Sequence, residues 1–147
     1  MIRIFALILF LGLTGCAGSH KAGGSFVGQL PQKGVVTVAD DATSYLSSLY
    51  PPGHTSIRLE APPQSDTFSR ALETSLRQKG FTVSSSGTVT LSYVFDTLRS
   101  AAPPVWYLQL RIVDPKQSKT IARSYTADGN PAAGFSILST GGDHGKS

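Results

Sequence analysis

Three stretches in the second half of the chain alternate apolar and polar residues with a period of two, and that pattern limits the fold more than any other feature. Between Thr88 and Leu98, Val89, Leu91, Tyr93 and Phe95 fall on one side, against Thr90, Ser92, Val94 and Asp96. Between Val105 and Val113, Trp106, Leu108, Leu110 and Ile112 oppose Tyr107, Gln109, Arg111 and Val113. Between Lys119 and Thr126, Ile121, Arg123 and Tyr125 share a side. A period of two places successive side chains on opposite faces of a strand. The loop Asp114-Pro115-Lys116-Gln117-Ser118 has hairpin chemistry, and Arg99 to Pro104 form a wider connection. A meander of antiparallel strands with one apolar face needs a second layer to cover it.

The first half supplies that layer. Val38, Ala42, Tyr45, Leu46 and Leu49 recur at helical spacing, which predicts a helix from Val38 to Leu49. Thr37 can cap it with Asp40 in a capping box, and Pro51-Pro52-Gly53 stops it. Thr55 to Ala61 alternates as a strand. Ser65 or Asp66 then caps a second helix that runs to Lys79 with Phe68, Ala71, Leu72 and Leu76 on its apolar face. Gly80 suits the left-handed residue that ends a helix, and Phe81 to Ser84 is a short strand. The reading is α+β: a small two-layer domain over residues 36–127, with two helices packed on a mostly antiparallel sheet of about five strands.

The N-terminus reads differently. Arg3 precedes about ten apolar residues, Ile4 to Leu13, and small residues follow. The run is shorter than the roughly 20 residues that span a bilayer as a helix. Residues 1–15 are read as a secretory signal that is removed. Leu13-Thr14-Gly15-Cys16 resembles the bacterial lipobox, and Cys16 is the only cysteine of the chain. The resemblance implies cleavage before Cys16, a diacylglycerol on its sulfur and an acyl chain on its new amino group. These lipids are covalent, and no other cofactor is expected. Each buried methylene contributes about 0.8 kcal/mol, so several chains hold firmly to a membrane. Asp after the cysteine usually retains such proteins at the inner membrane; Ala17 stands there instead, which implies the outer membrane, periplasmic face.

Residues 16–35 contain Gly18, Gly23, Gly24, Gly28, Pro31 and Gly34, and read as an extended tether. Phe26, Val27 and Leu30 are odd in a spacer: either they are loosely exposed or they dock on a partner. Residues 128–147 are again rich in Gly and Ser, with one apolar patch at Phe135, Ile137 and Leu138. They read as a flexible tail or as a strand added to a neighbour.

Catalytic chemistry finds no support. His20 and His144 fall in tether and tail, and His54 follows a Pro-Pro-Gly turn; none has a carboxylate or thiol at metal-ligand spacing, so no metal site is expected. The ending Gly141 to Ser147 looks like a phosphate loop but has Thr140 where its first glycine belongs. Asp66 with Glu73, or Asp96 with Asp114, reads as caps, turns and helix surface. The net charge is +4, and its basic residues are scattered, without the basic runs and interleaved aromatics of a nucleic-acid binder. Trp106, Tyr107, Tyr93, Phe95 and Tyr125 cannot all share one face, so a part of this set is core and the rest hints at a protein partner.

The signal, the Leu-Thr-Gly-Cys lipobox, the length of 147 residues and the segment Thr67-Phe68-Ser69-Arg70-Ala71-Leu72-Glu73 through Lys79-Gly80-Phe81-Thr82-Val83 together resemble the TrbH family of conjugal transfer lipoproteins. The resemblance implies a structural, non-enzymatic component of a type IV secretion system that moves plasmid DNA. Such a component would sit at the outer membrane in a ring-shaped core complex, in many copies, stabilising a periplasmic partner without touching DNA. The docking segment would be Ser25 to Val36, with Phe26, Val27 and Leu30 as its apolar contacts. The alternative is an accessory envelope lipoprotein that binds a cell-wall enzyme, a transporter or a secretin.

Overall fold

The computed structural model describes residues 24–31, 33–98 and 102–141. Its elements in chain order are β1 (Phe26–Val27), α1 (Val35–Leu49), a 3-10 turn (Pro52–His54), β2 (Ser56–Leu59), α2 (Thr67–Gln78), β3 (Thr82–Val83), β4 (Val89–Leu98), β5 (Val105–Val113), β6 (Gln117–Tyr125) and β7 (Ser136–Gly141). The α+β class holds: both helices pack on one face of a single open sheet.

The sheet is mixed and has seven strands, against a reading of about five, mostly antiparallel. Its order is β3-β2-β4-β5-β6-β7, with β1 also on β4. The pairs β4-β5, β5-β6 and β6-β7 are antiparallel, whereas β1-β4, β2-β4 and β2-β3 are parallel. The cause lies in the connections. Helix α1 between β1 and β2, and α2 between β2 and β3, each return the chain to the same end of the sheet, so the strands they link run parallel, whereas β4 to β7 follow one another without a helix and alternate in direction. The two extra strands, β1 and β7, lie in the spans read as tether and tail.

The core follows the alternation. Leu91, Tyr93 and Phe95 of β4, Leu108, Leu110 and Ile112 of β5, and Ile121 and Tyr125 of β6 are buried beneath Val38, Ala42 and Leu46 of α1 and Phe68, Leu72 and Leu76 of α2. Phe68 packs edge-on to Tyr93 at 5.0 Å and tilted on Phe95 at 4.7 Å. Trp106 lies half-buried on this side. Tyr107 is half-buried on the opposite face, which carries no helix among the described residues.

Helix α2 matches its expected signals. Asp66 Oδ1 accepts from the Ser69 N–H at 2.8 Å, Ser69 Oγ accepts from the Asp66 N–H, and Gly80 takes the left-handed conformation at φ 95°. Helix α1 departs from them. It begins at Val35, three residues before the expected start, and Thr37 caps nothing: the N-cap is Gly34, with no side-chain cap. The Val38 N–H donates to the Gly34 carbonyl at 2.9 Å, and burial of Val35 draws the added turn onto the core. The acids read as capping groups serve tertiary contacts. Asp40 accepts from Ser75 Oγ at 2.7 Å, and Asp41 accepts from Arg123 and Tyr125.

The β5-β6 loop is also tighter than expected, because β6 begins at Gln117. Asp114 Oδ1 accepts from the N–H groups of Lys116 and Gln117, and Asp114 Oδ2 accepts from the Tyr50 hydroxyl at 2.7 Å. That hydroxyl, above all, holds the Asp114 carboxyl below its ordinary range.

Candidate docking surface

The surface begins where β4 lends one edge to two strands. Val89 to Leu91 pair with β2, and Val94 and Phe95 pair with β1. Backbone groups along that edge are satisfied in turn. The Leu91 carbonyl accepts from the Glu60 N–H, the Tyr93 N–H donates to Ser25 Oγ, and the Phe95 carbonyl accepts from the Gly28 N–H, each at 2.9 Å. A strand edge left bare beside a core costs as much as its lost hydrogen bonds. Two residues of β1 and one serine hydroxyl cover the part of the edge that β2 leaves.

Asp96 then fixes the exit from β1. Its Oδ1 accepts from the Gln29 N–H at 3.2 Å and the Thr97 N–H at 2.7 Å. Gly28 lies so close to this carboxylate that a Cβ there would overlap it. The glycine read as a mark of a loose spacer is needed for close approach.

Of the three residues read as partner contacts, two pack on the chain's own core: Val27 and Leu30 are half-buried against it. Phe26 points outward and is 54% exposed. Cys16, read from the sequence as the lipidation residue, lies outside the described residues.

An open groove of about 670 Å³ runs beside β1, between Ser25 to Leu30 and the segment Pro62 to Thr67. A second of about 450 Å³ continues past Leu30 and Thr67 to the first turn of α1, where Val36 is 62% exposed. Phe26 lines the first groove and Val36 the second, while Leu30 and Thr67 line both, so the two form a trough. Its one acid, Asp66, is occupied: it caps α2, and its Oδ2 accepts from the Tyr93 hydroxyl at 3.2 Å. Burial and this carboxylate push the Tyr93 hydroxyl well above its ordinary value. Beside its apolar residues the trough is lined by Lys33, Gln64, Ser65 and Thr67.

The other candidate carboxylates are likewise structural. Glu73 pairs with Arg77 on the α2 surface at 2.7 Å, Asp96 holds β1 and Asp114 closes a turn. His54 is exposed in the 3-10 turn, while His20 and His144 lie outside the described residues. No group of three His, Cys, Asp or Glu that could hold a metal occurs among the described residues.

The sequence names Ser25 and Val36 only as the ends of the docking segment and Asp96 only as a strand-end acid, and shows none of their contacts. Ser25 and Asp96 act through backbone groups on β4 and β1, and no periodicity marks a side chain that completes a distant strand. Val36 was legible as an exposed apolar residue once the helix start had moved to Val35.

A family model described as "Conjugal transfer protein TrbH" matches residues 20–142. No curated protein and no solved structure matches the chain.

Proposed function

Because this chain belongs to the TrbH family of conjugal transfer proteins, we propose that it is a lipid-anchored structural component of a conjugative type IV secretion system. In this reading Cys16 carries the lipid, the domain stands at the periplasmic face of the outer membrane, and the chain stabilises a periplasmic partner in a multi-copy core complex during plasmid transfer. It performs no catalysis and does not contact the DNA. The family match over residues 20–142 carries the conjugation half of the reading. The signal and lipobox at residues 1–16 support the address.

The fold constrains how the anchor would act. Among the described residues the first held on the domain is Ser25, nine positions after Cys16. An extended chain gains at most about 3.6 Å per residue, so that link reaches about 32 Å. With that anchor Ser25, which lines the trough beside β1, would lie no farther than about 32 Å from the lipidated residue.

Deletion of the gene is expected to abolish plasmid transfer while leaving growth and cell shape normal. Palmitate labelling, fractionation and co-purification from solubilised envelope then test the address. Wild-type chain should label and travel with the outer membrane in a complex far larger than itself; Cys16→Ser should not label. Normal transfer from the deletion strain removes the conjugation role, and outer-membrane fractionation of unlabelled Cys16→Ser protein removes the anchor. A cell-shape or permeability defect with intact transfer points instead to the accessory-lipoprotein alternative.

A further inference from the structure

The sheet ends unequally. At one edge β3 offers two residues. At the other, β7 offers six, Ser-Ile-Leu-Ser-Thr-Gly, and its outer side pairs with nothing among the described residues. Long free edges are templates for further pairing, and proteins usually blunt them with lysine, proline, a bulge or brevity. This edge has none of these. Its register with β6 is continuous from Ala122↔Ser136 to Gln117↔Gly141, and no ionisable side chain occurs from Gly129 to Gly142. Ile137 and Leu138 are 57% and 65% exposed.

We propose that β7 pairs with β7 of a second copy, antiparallel about a two-fold axis, so that the two sheets become one. A second copy fits for two reasons. In a chain of net charge +4 it brings an equally long, uncharged strand, so no like charges meet at the seam. The alternative self-contact, β7 on β3, would propagate without closure but is limited to two residues.

The pleat restricts the register. Opposed residues in antiparallel strands point to the same face, and a two-fold axis normal to the sheet keeps the faces in place. Positions 137 and 139 share the helix-covered face with Ile121 and Lys119, while 136 and 138 lie on the open face. The axis must therefore pass through a residue rather than between two. Centred on Leu138, it sets the two Leu138 side chains against each other on the open face, with Cβ atoms about 5 Å apart, and opposes Ile137 to Ser139. This register covers both exposed apolar residues.

Sedimentation of the full lipidated chain in detergent, with cysteine cross-linking, tests the pairing. Wild type should show twice the protein mass of one chain. Leu138→Lys should return it to one chain that keeps the circular dichroism of the folded domain, because the side chain is exposed in the single chain and only the stability linked to pairing is lost. Leu138→Cys should form a disulfide-linked dimer under mild oxidation, whereas Ser139→Cys, facing position 137 of the other copy, should not. A wild-type monomer, a Leu138→Lys dimer, or equal cross-linking at 138 and 139 overturns the proposal. So does a β7 edge that captures another envelope protein while failing to pair with its own copy.

Discussion

Gly34 and Gly129 meet backbone to backbone, both in the left-handed region, at φ 83° and 82°. A Cβ on Gly34 would overlap the Asp128-Gly129 peptide, and a Cβ on Gly129 would overlap the Gly34 carbonyl. One glycine opens α1 and the other turns the chain after β6, so this contact joins the end of the N-terminal segment to the start of the C-terminal one. Gly34→Ala and Gly129→Ala should each cost about 1–3 kcal/mol from the forced conformation, with the overlap adding to it. The double variant should cost less than the sum, because one contact is broken once. Thermal melts of the four chains measure this; strict additivity would show that the two glycines act separately.

The contrast between that contact and the strand meander marks what was legible. Leu91, Tyr93, Phe95, Leu108, Leu110, Ile112 and Ile121 announce their burial by alternation, and Asp66 with Gly80 bounds α2 by local chemistry. The start of α1 was hidden because a left-handed Gly34 and a buried Val35 set it, and both depend on the remote turn at Gly129. β1 was hidden because two residues carry no period. β7 shows its apolar pair, but its place beside β6 comes from long-range pairing. The trough escaped for the same reason: Leu30 and Thr67 meet only after α1 and α2 have packed.

Arg123 should be the most sensitive polar residue of the helix-sheet seam. Its Nη1 donates to both Asp41 oxygens at 2.9 and 2.8 Å, its Nε donates to the Ala133 carbonyl at 2.8 Å, and its guanidinium carbon lies 4.4 Å from the Phe135 ring centre. The same ring packs on Tyr45 of α1 at 4.2 Å. The pair is largely shielded from water, so loss of one partner strands the other. Arg123→Ala should cost about 2 kcal/mol and speed amide exchange over residues 131–141. Arg123→Lys keeps the charge but not the fork, and should fall between. Unchanged exchange in β7 would show that the strand is held by β6 alone.

Alkaline pH should unfold the domain through its tyrosines. Burial, reinforced by Asp66 for Tyr93 and by Asp41 for Tyr125, raises both hydroxyls above their ordinary 10.0. A raised value means that the fold keeps a proton the unfolded chain gives up. The contribution is complete below pH 10 and is lost as pH rises beyond it, at up to about 1.4 kcal/mol per pH unit for each tyrosine. Chemical denaturation between pH 8 and 11 should show a plateau and then a decline. Tyr125→Phe should be less stable at neutral pH, for want of its 2.8 Å bond to Asp41, yet decline less steeply. An identical slope in wild type and Tyr125→Phe would assign the alkaline loss to other groups.

Phe26 and Leu30, read together as contacts for a partner, should now behave differently. Phe26 is exposed at the rim of the trough, so Phe26→Asp should leave the unfolding free energy within about 0.5 kcal/mol of wild type while weakening co-purification with envelope partners. Leu30 packs against the chain's own core, so Leu30→Asp forces a charge beside apolar neighbours and should destabilise the domain itself. Loss of partner in Leu30→Asp would therefore carry no information about docking, whereas loss in a fully folded Phe26→Asp locates the contact at the trough. Val36→Asp, at the other end, supplies the second reading from a helix surface that tolerates the change. If both exposed variants retain the partner at wild-type yield while remaining folded, the trough is not where the partner binds.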